Sequence, residues 1–271
     1  MPLTGTAEGP VWRRRTSGRQ WAIWSAWLAG TALFVACWQV ISASTTWFFV
    51  TDSPRVIADI GSRMVPPAWG YLGKLWEPMW DTINIATLGT LLAIVMAVPV
   101  AFLAARNTTP SALVVRPIAL LIIVSSRSIN SLIWALLLVS IMGPGVLAGI
   151  IAIALRSIGF IAKLLYEAIE EIDRSQVEAV TAAGAGRGQV MAYGIVPQIM
   201  PAFAGIAVFR WDINIRESTV LGLVGAGGIG LQLQSSLNIL AWPQVTVILL
   251  LIVATVLVSE WVSATVRHKI I

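Results

Sequence analysis

Between Thr82 and Tyr166 the chain carries neither an aspartate nor a glutamate. No soluble domain surface is built from a stretch that long without acids, and the same stretch is mostly Ala, Val, Ile and Leu. Over all 271 residues, 57% are hydrophobic and 11% charged, against roughly 45–50% and about 25% in ordinary soluble domains. The natural solvent for such a chain is a bilayer. A hydrocarbon core of about 30 Å calls for roughly 20 mostly apolar helical residues per crossing. Stretches of that kind run over Trp21–Ile41, Thr82–Ala105, Leu113–Met142, Val146–Leu165, Ile199–Ile215 and Trp242–Thr265. The sequence therefore predicts an all-α membrane protein with about six transmembrane helices. The third stretch is long and holds Arg127 and Asn130. We read it as one bent or tilted helix, with two short re-entrant halves as the alternative. The first follows Arg13, Arg14, Arg15 and Arg19 as a signal peptide would. Its apolar run is longer than the 7–15 residues of a typical h-region, which favours an uncleaved span.

Basic residues set the orientation. With the N-terminus inside, the inner segments hold Arg13, Arg14, Arg15, Arg19, Arg106, Arg116, Lys163, Arg174, Arg187, Arg267 and Lys269, and the outer segments hold only Arg55, Arg63 and Lys74. That excess predicts a multi-pass chain with both termini cytoplasmic. Trp21, Trp47, Trp80, Trp242 and Trp261 fall near span ends, where interfacial rings belong. The expected layout is a cytoplasmic tail over 1–20, a first span over 21–43 and an extracytoplasmic segment over 44–81, broken by Pro54, Pro66, Pro67 and Pro78. A five-helix core over 82–265 follows, with an inner loop over 166–198 and an outer glycine-rich loop over 217–241, then a cytoplasmic tail over 266–271.

The chemistry available is narrow. One cysteine, Cys37, excludes an intramolecular disulfide, and with His268 as the one histidine the usual metal-ligand clusters cannot be assembled. No Ser/His/Asp or Cys/His set exists, and Glu167, Glu170 and Glu171 read as surface charge on the inner loop. No Gly-x-x-x-x-Gly-Lys-Ser/Thr occurs, so any ATP must bind to a separate subunit. Net charge is +5, but with so little charged surface this does not describe a nucleic-acid-binding face. Gly225-Ala226-Gly227-Gly228-Ile229-Gly230 has the spacing of a dinucleotide fingerprint. It lacks the preceding strand and the acid about 20 residues on that such a site needs, Glu260 being the next acid. A tight turn in which small residues let backbones approach is the better reading.

The inner loop is more specific. Ser175 followed by Glu178 has the spacing of a capping box. Ala179, Ala182 and Ala183 favour helix, and Gly184 is a natural terminator. The expected product is a two-turn helix whose small side chains allow another protein to lie against it. This loop resembles the signature of ABC importer permeases: Glu-Ala-Ala, three residues, Gly, nine residues, Ile-x-Leu-Pro. Glu178, Ala179, Gly184 and Pro197 match; Val180, Gly194 and Val196 depart from it. By that resemblance Ser175, Glu178, Ala179, Gly184 and Pro197 belong to a coupling helix docked on a cytoplasmic ATPase.

Asn214-Ile215-Arg216-Glu217-Ser218-Thr219 running into Val224-Gly225-Ala226-Gly227-Gly228 is similar to phosphonate importer permeases, as are Gly143-Pro144-Gly145 and Ser157 through Leu164. The likeness covers about Asp81 to the C-terminus, and methionine-importer permeases share the Val-Gly-Ala-Gly-Gly pattern. It implies a type I, methionine-importer-like permease core in a bacterial inner membrane, importing phosphonates or related phosphorus oxyanions and performing no covalent chemistry. It further implies a second permease copy, two ABC ATPases that carry the ATP and magnesium, an extracytoplasmic solute-binding protein and surrounding lipid as partners. This chain itself is expected to bind no cofactor, no metal and no nucleic acid. Phosphate, phosphite or methionine import is the alternative. A proton-coupled secondary transporter is the rival from another class, and it would need intramembrane acids or histidines, which spans two to four lack.

An arginine at a span centre costs roughly 2.5–3.5 kcal/mol on insertion scales. Arg127, Arg156, Arg210 and Arg216 lie within or at the ends of spans, so they should face the bundle interior or a water-filled path. Asp212 is two residues from Arg210, a spacing that does not share a helix face. Guanidinium forks match phosphonate oxygens in bidentate fashion. Arg127 and Arg210 are the leading path candidates, followed by Arg156 and Arg216, with Ser126, Asn130 and Asn214 as polar companions.

Overall fold

The computed structural model describes residues 3–6, 9–12 and 17–270. Arg13, Arg14 and Arg15, part of the basic cluster assigned to the inner tail, lie outside the described residues, as does Ile271. The chain divides into two compact units, 1–61 and 62–271.

The first unit opens with a short antiparallel pair, β1 (Leu3–Thr6) and β2 (Gly9–Trp12), in which Leu3 faces Trp12. Helix α1 (Ser17–Ser44) then runs 28 residues without burying one side chain in the protein. Trp21, Trp24, Trp27, Leu28, Phe34 and Trp38 all stand exposed on it, a surface whose natural complement is lipid. Helix α2 (Trp47–Met64) begins in this unit. It corrects the expectation that Pro54 breaks the segment, because the helix runs through it. A proline removes one backbone donor, and the turns on either side hold.

In the second unit a 3₁₀ turn (Trp69–Lys74) leads into α3 (Trp76–Ala104). Pro78 sits in its first turn, where no intrahelical partner for its missing N–H is needed. Helices α4 (Val115–Ser128) and α5 (Ser131–Met142) follow, then α6 (Val146–Glu170), α7 (Arg174–Ala182) and a helical turn α8 (Arg187–Gln189). A π-helical turn (Val190–Ile195) feeds α9 (Val196–Leu221), and α10 (Ile229–Asn238) and α11 (Trp242–Ile270) complete the chain. By length and composition, five helices among the described residues are able to cross a membrane, or six if the bent α4–α5 pair is one span.

Helix α6 is the hub, packing on α3, α4, α5 and α9. The seam with α3 is made of small residues four apart: Gly89, Ala93, Ala97 and Ala101. A Cβ on Gly89 would lie 2.8 Å from Ile153 Cγ2, so the seam works because those side chains are absent. Ile153, Ile158, Ile161 and Leu165 of α6 fill the core beside it.

Three readings change. The third apolar stretch is not one helix: α4 and α5 meet at 88°. Ile129 is extended, and Asn130 caps α5 by accepting the Leu132 N–H at 3.1 Å, so the backbone turns where a side chain can close the new helix. The segment over 217–241 is mostly helix, the end of α9 and then α10, with left-handed Gly225, Gly227 and Gly228 making the turn. Its backbones do approach closely, since a Cβ on Gly222 would lie 2.6 Å from the Gly227 carbonyl oxygen. Finally, Glu167 and Glu170 belong to the last turn of α6. Lys163 pairs with Glu167 at 3.5 Å, Arg116 with Glu170 at 3.6 Å, and Glu170 accepts the Arg106 N–H at 2.8 Å. No helix breaker lies between Tyr166 and Glu170, so α6 continues past the apolar run.

Candidate functional site

Helix α9 places five polar residues within eight positions: Arg210, Asp212, Asn214, Arg216 and Glu217. Helical periodicity sorts them onto two stripes. Arg210, Asn214 and Glu217 turn toward α6, and Asp212 and Arg216 pair at i,i+4 on the other stripe. Asp212 also accepts a hydrogen bond from Ser259 of α11 at 2.8 Å. One helix thus meets two neighbours with charge, and each buried acid finds a donor.

Arg210 is held independently of any carboxylate. Its Nε donates to Ser157 Oγ at 2.9 Å, Ser157 donates to Asn214 Oδ1 at 3.2 Å, Asn214 Nδ2 donates to Thr90 Oγ1 at 2.7 Å, and Thr90 donates to the Ala86 carbonyl at 2.6 Å. That relay ties α9 to α6 and α3 through a chain of buried hydrogen bonds. The guanidinium lies over the Phe160 ring, 5.0 Å from its centroid, a favourable cation–π placement.

Glu217 joins two cations. Its Oε1 accepts from Arg156 Nη1 and lies 3.5 Å from Arg210 Nη2. Arg156 reaches Ser131 Oγ as well, at 3.4 Å. Arg127 makes no ion pair among the described residues. It joins Arg156, Phe160, Arg210, Ile213 and Glu217 around a cavity of about 320 Å³. A second cavity of about 580 Å³ adjoins it through Arg156, Ile213 and Glu217, and adds Asn130, Ser131, Phe209 and Arg216.

Four of the residues singled out from sequence thus line these cavities together with Asn130: Arg127, Arg156, Arg210 and Arg216. Ser126 and Asn214 do not. Ser126 accepts the Gly159 N–H at 2.9 Å and donates to the Leu155 carbonyl, which fastens α4 to α6. Asn214 is fully buried in the relay. No acid shares both turn and face with Arg210, but Glu217, two turns along the helix, comes within 3.5 Å of its Nη2. Glu217 and Asp212 are the residues that sequence reasoning undervalued. The i,i+4 spacing of Asp212 and Arg216, and the i,i+7 spacing of Arg210 and Glu217, were the available signals. Ser157 and Phe160 stood out only as part of the stretch from Ser157 through Leu164, with no signal of their own.

The second candidate region is the segment from Glu171 to Ile195. Helix α7 buries none of its residues. Ser175, Glu178 and Ala179 are exposed on it, and Val177 and Val180 turn inward toward Gly194. The capping residue is Asp173 in place of Ser175: Asp173 accepts both the Ser175 N–H at 2.9 Å and its hydroxyl at 2.8 Å. Asp173 has the extended backbone that a cap requires, whereas Ser175 is already inside the helix. Those two bonds hold the Asp173 carboxyl below its ordinary pKa, the backbone bond contributing most. Gly184 ends the helix with φ +82°, a left-handed conformation that favours glycine. Gln198, unsuspected from sequence, accepts the Asp173 N–H at 2.9 Å and donates to the Gly194 carbonyl at 2.7 Å, so it pins the loop to the first turn of α9 beside the exposed Pro197. A groove of about 450 Å³ opens beside this loop, between Asn107–Pro110 and the Thr181–Ile195 segment.

Comparison with known proteins places this arrangement. Residues 89–270 match the family described as the binding-protein-dependent transport system inner membrane component. The phosphite transport system permease protein PtxC of Stutzerimonas stutzeri is 40% identical over 87% of this chain and 84% of its own length. The phosphate-import permease protein PhnE of Mycolicibacterium smegmatis is 37% identical over 88% of this chain, which spans 44% of that longer protein. In fold, the chain is similar to a subunit of the MetNI methionine ABC transporter in its inward-facing conformation, with TM-score 0.65 and 21% identity, covering 75% of this chain and 99% of that one. The chain belongs to the family of binding-protein-dependent transport inner membrane components. It is a multi-pass membrane permease with a methionine-importer-like helical core.

Proposed function

From that membership we propose that the chain is the membrane-spanning subunit of an ATP-driven importer carrying phosphonates or related phosphorus oxyanions into the cell. The observation that carries the reading is the cavity pair on α6 and α9. Arg127, Arg156 and Arg210 surround it with a single carboxylate, Glu217, among them. An excess of guanidinium in a low-dielectric setting attracts an anion, and its fork geometry suits tetrahedral oxygens. The phosphite and phosphate permeases among its relatives support the same solute class.

In this reading two copies of the chain pair with two cytoplasmic ATPases, which bind ATP and magnesium, and an extracytoplasmic binding protein delivers solute. Exposed Glu178 and Ala179 of α7, with Ser175, Gly184 and Pro197, form the coupling surface. ATP-driven movement of that surface alternates access to the cavities. Both termini lie in the cytoplasm of a bacterial cell and 44–81 faces out, as the basic residues suggest. A membrane-impermeant thiol reagent checks this orientation in a Cys37→Ala background: a cysteine at Gly70 reacts in intact cells, and reaction only after lysis reverses it.

Methionine, a zwitterion, makes less use of three guanidinium groups than an oxyanion does. A proton-coupled carrier is disfavoured because both acids of α9, buried Asp212 and half-buried Glu217, are engaged with arginines. The test is uptake by proteoliposomes holding the permease, its ATPase and the binding protein. The reading expects ATP-dependent entry of methylphosphonate, phosphite or phosphate. Entry of methionine alone, or uptake driven by a proton gradient without the ATPase, contradicts it.

A further inference from the structure

The bonding around Glu217 is lopsided. Its Oε1 serves two guanidinium groups, and its Oε2 is buried with no hydrogen-bond partner among the described residues. A carboxylate retained only to tie helices together would be expected to satisfy both oxygens, because each buried lone oxygen is costly. Arg210 mirrors the imbalance. Its side chain is 3% exposed, and Nη2, although 3.5 Å from Glu217 Oε1, has no hydrogen-bond partner. A buried charged donor at the wall of a cavity is therefore still unsatisfied with Glu217 in place.

The cations do not need Glu217 to stay where they are. Arg210 is anchored by Ser157 and the Phe160 face, and Arg156 has Ser131. Glu217 also lines both cavities, so open space adjoins its side chain. Fixed cations, a half-satisfied anion and room beside it describe an exchangeable counter-ion.

We infer that Glu217 is an internal surrogate for the solute: its carboxylate occupies the Arg156–Arg210 pair in the empty pathway and is displaced when a tetrahedral oxyanion binds there. The exchange keeps the guanidinium groups from facing a cavity with no anion at all. It also lowers the affinity for solute by the strength of the bond that must be broken, which lets the ion leave again. This rests on the pathway reading above, which places the solute at this cavity.

The test uses the assembled transporter in proteoliposomes, with inorganic phosphate as the probe. Glu217→Gln keeps the shape of the side chain and removes its charge. The expected result is an apparent KM for phosphate lowered about tenfold, the scale of one charge-assisted hydrogen bond, together with slower maximal uptake because release is slowed. Sulfate, as a non-transported competitor, should inhibit the variant more strongly than the parent. Glu217→Asp retains charge on a shorter stem that cannot bridge both arginines, and should fall between the two. An assembled Glu217→Gln transporter with unchanged or raised KM overturns the exchange, as does failure of both variants to assemble, which marks a structural tie. Arg210→Gln separates this from the underlying reading. Lost phosphate uptake in Arg210→Gln with unchanged KM in Glu217→Gln rejects the exchange alone. Normal uptake in Arg210→Gln rejects the pathway itself.

Discussion

Helix α6 and the segment that follows it, Glu171–Ile195, meet at one residue and obey opposite rules. On α6, Gly159 has no room: a Cβ there would lie 2.5 Å from the Ile123 carbonyl oxygen and 2.9 Å from Arg127 Cγ. In the loop, Gly188 has nothing within 4 Å. On α6, Arg156 is engaged by Glu217 and Ser131, and Ser157 bonds Asn214 of α9, which in turn donates to Thr90 of α3. On α7, no residue is buried, and Glu178 and Ala179 point away from the chain. The difference teaches where the chain is complete. Charge inside the bundle is engaged mostly within the same chain, because desolvation penalises it otherwise, and the groups left over, Arg210 Nη2 and Glu217 Oε2, belong to residues that line the cavities. The loop is held by its caps, by Gln198 and by Ile172, Val177 and Ile195 against the core, and its outer face offers a low-relief surface for a partner.

The sharpest way to break this comparison is to fill α6. Gly159→Val should drive α4 from α6 and displace Arg127, at a cost of about 1–3 kcal/mol or more. Purified yield and thermal unfolding of the assembled transporter report it, and an unperturbed melting profile contradicts the packing described. Ala179→Asp should act one level higher. The chain should fold normally, while a charge buried at the proposed contact weakens ATPase association about tenfold or more, read by co-purification and by transport-coupled hydrolysis. Equal coupling in parent and variant removes α7 from that role. Gly188→Ala should do least. It replaces a helical glycine in open space, so a change in stability within about 0.5 kcal/mol is expected, and a larger loss shows that the loop is less open than its geometry.

The apolar spans were legible in the sequence because a bilayer leaves a composition signal that needs no partner. The exposed small residues of α7 were legible too, since helix formers and a terminating Gly184 are local. Choices between local competitors were harder. Ser175 has the right spacing to Glu178 for a capping box, yet Asp173 takes the cap from two residues upstream. Asn130 carried the signal for the 88° break, but an apolar run on both sides masked it. The charge cluster was legible only as a cost. That Arg127, Arg156 and Arg210 must avoid lipid follows from insertion energetics. That Glu217 joins two of them depends on α6 and α9 packing together, 61 residues apart at the Arg156 pair. Arg216, next in sequence, drew attention to itself although it pairs with Asp212.

The arginines are proposed to serve a solute and not only the fold. Replacing Arg127 and Arg210 singly with Gln keeps hydrogen-bonding capacity and removes charge. In proteoliposomes with matched amounts of assembled transporter, each variant should take up phosphorus oxyanion more slowly by tenfold or more, the scale of a lost charged hydrogen bond, with basal ATPase activity retained. Uptake kinetics equal to the parent in both variants would show that no charge is required along the path.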